Sequence, residues 1–115
     1  MKPLLLFLSV FLSVSLFGQN VYIPDANFKE ILVGNPEINT NGDTEIQVSE
    51  ASSFDGLIHC NGQVFDLTGI EAFTSLTELN CSGDEGYLTS IDVSQNTYLT
   101  KLYCVYNQLT SLDVT

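Results

Sequence analysis

The densest run of oxygen-bearing side chains is Asn39-Thr-Asn41-Gly-Asp43-Thr-Glu45-Ile46-Gln-Val-Ser-Glu50. Its spacing suits a hard divalent cation. Calcium takes roughly six to eight oxygens at ~2.3–2.6 Å. Asn39, Asn41, Asp43, the Glu45 carbonyl, a water near Gln47 and both oxygens of Glu50 can offer that number, with Ile46 anchoring the loop to a core. Two substitutions weaken such a site. Asn at position 39 leaves Asp43 and Glu50 as the only charged side-chain ligands, and Thr44 stands where the sharp turn wants glycine, at a cost of roughly 1–2 kcal/mol. The expected affinity is that of weak extracellular modules, ~10⁻⁴–10⁻³ M. The competing reading is a turn cluster whose Asn and Asp side chains bond their own backbone without metal.

Other chemistry is sparse. His59 is the only histidine, and no serine or cysteine has a base beside it. The chain is therefore expected not to be an enzyme. Cys60, Cys81 and Cys104 are odd in number and lie 21 and 23 residues apart, a repeat period rather than a disulfide framework. Tetrahedral zinc needs four converging ligands. Buried thiols acting as small hydrophobes are expected, and a disulfide between neighbouring rungs is the competing reading.

The elements that must carry these residues follow from the same period. Ile58-His59-Cys60, Leu79-Asn80-Cys81 and Leu102-Tyr103-Cys104 alternate inward, outward, inward, as short strands do. A second apolar pair follows each at i, i+3: Val64 and Leu67, Leu88 and Ile91, Leu109 and Leu112. The segments around Ile91-Asp-Val93 and Leu112-Asp-Val114 also alternate, so one coil could carry two strands; the LxC segments are favoured for the main concave sheet, with Gly69 to Phe73 as a helical turn. Ahead of the coils, Asp25 can cap a helix whose apolar face is Phe28, Ile31 and Leu32, ended by Gly34 and Pro36.

The third copy, Leu99-Thr-Lys-Leu102-Tyr-Cys104-Val-Tyr-Asn107-Gln-Leu109-Thr-Ser-Leu112, reads LxxLxCxxNxLxxL and resembles the leucine-rich repeat with Cys in place of one Leu. The resemblance implies that Asn107 closes a turn by bonding adjacent coils. The matching positions in earlier copies are Asp84 and Gln63. With Ile-Pro-Asp-Ala-Asn-Phe-Lys at 23–29, the Asn-rich loop, and Asp-Leu-Thr-Gly-Ile-Glu-Ala-Phe at 66–73, the arrangement resembles secreted bacterial leucine-rich-repeat proteins with an internalin-like array. It implies an α/β repeat: a leucine-rich-repeat solenoid of short parallel strands, preceded by a small helical, EF-hand-like cap and a signal peptide. The expected boundaries are residues 1–18 for the signal, 19–55 for the cap and 56–115 for two full coils and a partial third. Because the sequence stops mid-repeat, a longer array or a partner covering the last edge is expected.

Lys2 followed by the apolar run Leu4 to Phe17 has the layout of a signal peptide and is shorter than the ~20 residues a membrane span needs. An exported chain without a transmembrane anchor, secreted or held at the cell surface, is expected. The formal charge of −11 becomes −12 when Lys2 leaves with the leader, which repels nucleic acid and anionic lipid. A protein or glycan partner fits better. Its expected contact surface is the outward strand positions, His59, Glu78, Asn80, Lys101 and Tyr103, with Tyr106 nearby and the two tyrosines as anchors. An ordinary solvated sheet face is the alternative to that surface. The alternative function is a calcium-binding docking module with the repeats as support.

Overall fold

The computed structural model describes residues 19–60, 63–82, 87–104 and 111–113. The proposed signal segment, Tyr106, Asn107 and Asp84 lie outside the described residues. Helix α1 spans Ala26–Val33. Asp25 caps it in extended conformation, its side chain accepting the Asn27 and Phe28 N–H groups, and the Gly34 N–H closes the last turn on the Glu30 carbonyl at 2.9 Å. The helix buries Phe28 and Leu32 completely, the face its apolar spacing requires. The oxygen-rich loop follows and leads into a short helix, α2, Val48–Ser53.

Among the described residues, five three-residue strands come next, in two parallel sheets. Strands β1 (Leu57–His59), β2 (Glu78–Asn80) and β4 (Lys101–Tyr103) pair in that order, with Leu57, Glu78 and Lys101 in one register row and His59, Asn80 and Tyr103 in another. Strands β3 (Ser90–Asp92) and β5 (Ser111–Asp113) form the second sheet. Both candidate strand segments of the repeat are therefore strands. A parallel pair needs a crossover of a dozen or more residues, and the repeat period supplies it. In the first crossover Ile70–Ala72 forms a 3₁₀ turn entered through Gly69 at φ 111°. A side chain on Gly69 would meet Ile23 Cγ1 at 2.9 Å and the Tyr22 carbonyl at 3.0 Å, so glycine permits the crossover to lie against the N-terminal segment.

The alternation decides burial. Ile58 and Leu79, the middle residues of β1 and β2, are buried, as are Cys60 and Cys81; their neighbours Leu57 and His59 are exposed. One core cluster runs from Val21, Phe28 and Ile46 through Phe54 and Ile58 to Leu88 and Val93, joining the helical segment to the sheets without a break. Each large apolar side chain buried there contributes about 1.5–3 kcal/mol. A single coil holds few of them, while ordering its backbone costs ~1–2 kcal/mol per residue. Stability thus depends on stacking.

Candidate functional site

The outward rows of β1, β2 and β4 hold the residues expected to meet a ligand. Neighbouring strands lie ~4.8 Å apart, so His59, Asn80 and Tyr103 stand side by side, and beside them Leu57, Glu78 and Lys101. Tyr103 is 49% exposed and Leu57 44%. Lys101 Nζ sits 3.6 Å from Glu78 Oε1 with both side chains well solvated, a pair worth no more than about 1 kcal/mol. It leaves this face electrically balanced on a strongly acidic chain. Asn80 accepts the Ser82 N–H at 3.1 Å, which fixes its amide while its residue remains half exposed.

Asn39, Asn41, Asp43, Glu45 and Glu50 all come together around one loop. Glu50 reaches back across it, accepting Thr40 N–H at 2.8 Å, Asn41 N–H at 3.3 Å and the Thr40 hydroxyl on Oε2, and the Gln47 N–H at 2.9 Å on Oε1. Asp43 accepts the Glu45 N–H on one oxygen and the Asn41 and Gln47 side-chain amides on the other. Asn39 is buried. Its amide donates to the carbonyls of Val33 at 3.0 Å and Asp43 at 2.8 Å, and its Oδ1 has no protein partner. The Glu45 carboxylate is held by Lys29 at 2.7 Å. The loop's left-handed glycine is Gly42, φ 72°, two residues before Thr44.

Sequence reasoning missed two linking residues. Asp25 was read only as a helix cap, yet its second oxygen accepts the Phe65 and Asp66 N–H groups at 2.8 and 3.1 Å. Its burial would raise its pKa, but the four backbone N–H groups of Phe28, Phe65, Asp66 and Asn27 outweigh that and hold the carboxyl below its usual range. Asn96 was not singled out at all. It is 3% exposed and donates to the carbonyls of Ile70 at 2.9 Å and Phe73 at 2.8 Å, one coil earlier. The resemblance gave that bridging role to Asn107, Asp84 and Gln63. Only Gln63 is described, and what it contributes is its backbone carbonyl, to Asn27. The polar run Ser94-Gln95-Asn96 is the available signal, but it has no counterpart at the matching Phe73.

The three cysteines are reduced, Cys60 and Cys81 buried and Cys104 half buried. Burial, reinforced by the neighbouring Cys81 and by Asp25, pushes the Cys60 thiol up to about 12. Burial and the nearby Cys104 push Cys81 up to about 11, against a lowering backbone bond. Cys60 and Cys81 are therefore protonated, inert thiols near neutral pH. Among the described residues no group of three or more His, Cys, Asp or Glu side chains is arranged to hold a metal, and no helix is long and apolar enough to cross a membrane.

Strand order, register and helical lead-in define a small α/β protein with a parallel sheet and an internalin-like fold. The likeness rests on solved structures: an internalin, InlF, from Listeria monocytogenes, with 22% identity, a TM-score of 0.55, and 78% of this chain matched to 29% of that one. The second is a Clostridium perfringens ZmpB structure described as CBM51-2 in complex with GlcNAc and INT domains, with 22% identity, a TM-score of 0.57, and 73% of this chain matched to 17% of that one. The chain thus spans less than a third of either protein. No protein-family profile matches it, and no curated protein sequence does.

Proposed function

We propose that this chain is a secreted or cell-surface binding module that captures a protein or glycan on the outward, concave face of a leucine-rich-repeat solenoid. The observation that carries this reading is the register row His59, Asn80, Tyr103, which sets an imidazole, an amide and an exposed phenol at strand spacing on one face. Such a row offers hydrogen-bond donors and acceptors around a rigid aromatic surface, the composition of recognition patches that bind polar partners. The balanced Glu78 and Lys101 pair beside it suits a partner without strong charge. The fold neighbours support the same direction, one being an internalin and the other solved with a carbohydrate-binding module bound to GlcNAc.

The test is ligand capture by wild type, Tyr103→Ala and Lys101→Ala on arrays of glycans and of surface proteins. Both substitutions remove exposed side chains, so their effect on stability should stay within about 0.5 kcal/mol. Loss of capture with an unchanged melting temperature is the expected outcome. Unfolding of both variants, with capture intact once stability is restored, would remove this face from consideration.

A further inference from the structure

The spacing of the 39–50 loop suits a calcium ion, but its two charged side chains, Asp43 and Glu50, are already engaged by N–H, hydroxyl and amide donors of the loop itself. We propose that the loop is closed by its own amide groups in place of a cation, making the helical segment independent of calcium. A carboxylate offers about four lone-pair sites, two on each oxygen; on Glu50 the Thr40 and Asn41 N–H groups and the Thr40 hydroxyl crowd Oε2, and the Gln47 N–H takes one site on Oε1. A bidentate grip on a metal would compete with the three donors on Oε2. Asp43 has three donors on its two oxygens, two of them side-chain amides from Asn41 and Gln47. Both amides donate to the same Asp43 oxygen, Oδ2, for which a cation would have to compete.

Asn39 closes the argument. At the first ligand position it presents nitrogen, because its Nδ2 is fixed between the Val33 and Asp43 carbonyls. Turning the amide over would set its oxygen against those two carbonyl oxygens in a buried place. Its Oδ1 is buried without a protein partner. Lys29 holds the Glu45 carboxylate at 2.7 Å, so that negative charge is already neutralised beside the loop. The amide network continues outward, with Gln47 Nε2 donating to Asn20 Oδ1 at 3.2 Å and the Val21 N–H to the Ile46 carbonyl at 2.8 Å. The groups that close the loop thereby also seat the N-terminal segment.

The experiment compares melting of the intact chain in a chelator and in ~5 mM calcium, above the ~10⁻⁴–10⁻³ M range of weak extracellular sites. Wild type should melt at one temperature in both. Glu50→Gln and Asn39→Ala should each melt several degrees lower, on the scale of about 4–8 °C per kcal/mol for a domain of this size, and by the same amount in chelator and in calcium. A calorimetric titration of wild type with calcium should give no binding heat, a readout that holds even where a variant fails to fold. A wild-type rise of several degrees in calcium, a binding isotherm, or a Glu50→Gln defect confined to the calcium sample would overturn the proposal. So would variants that melt like wild type in chelator.

Discussion

The Phe65 N–H donates to the Asp25 Oδ2 across 2.8 Å, joining residues forty positions apart. The same carboxylate holds the first turn of α1 through its other oxygen, at 2.9 and 3.0 Å. One side chain thus fastens the N-terminal helix to the chain leaving β1, and Asn27 adds a parallel link to the Gln63 carbonyl at 2.8 Å.

Asp25→Ala should cost more than an ordinary helix cap, about 2–3 kcal/mol against ~1, read from urea unfolding. The acid dependence has a defined sign. Because the folded carboxyl sits below its ordinary 3.8, its contribution is complete above that value and falls away as pH drops through the lowered folded pKa. Wild type should lose stability more steeply than Asp25→Asn below about pH 4, and equal slopes would show that the carboxylate carries no such linkage.

Asn96 spans two coils from a buried position. Removing its amide takes away the two bonds that reach the Ile70 and Phe73 carbonyls from the next coil, leaving them only their local Phe73 and Leu76 N–H donors, at roughly 0.5–1.5 kcal/mol per bond. Asn96→Ala should therefore lower unfolding free energy by about 1–3 kcal/mol. A loss below about 0.5 kcal/mol, typical of an exposed site, would show that the coils hold together without it.

Gly42 and Gly69, both left-handed, separate strain from close approach. Gly42 has open space around it, so Gly42→Ala should cost only the backbone term of about 1–2 kcal/mol. Gly69→Ala adds contacts with Ile23 and the Tyr22 carbonyl at 3.0 Å or less and should cost clearly more. Equal melting temperatures for the two variants would contradict the packing of the first crossover on residues 22 and 23.

Thiol reactivity should rank with burial. At pH 8, Cys104 should be the first of the three to react with a thiol-specific disulfide reagent, while Cys60 and Cys81, raised to about 12 and 11, react at the rate of unfolding. Peptide mapping of the partly modified protein identifies the order. Prior modification of Cys60 would place its sulfur in solvent and remove the stacked interior column.

The period and alternation of the sequence determined the strands, their inward residues and the buried cysteines, because a two-residue pleat leaves its mark in local apolar spacing. Asp25 as a cap and the apolar face of α1 were legible for the same reason: their partners lie within one or two turns. Tertiary structure alone decided that the second apolar segments form their own sheet, that Asp25 also reaches Phe65, that Asn96 joins two coils, and that the amide of Asn39 turns its nitrogen to Val33 and Asp43. A hydrogen bond between distant residues depends on the direction of a particular N–H or carbonyl once the chain has folded. Residue type and spacing state which atoms are available, and the folded backbone selects which of them meet.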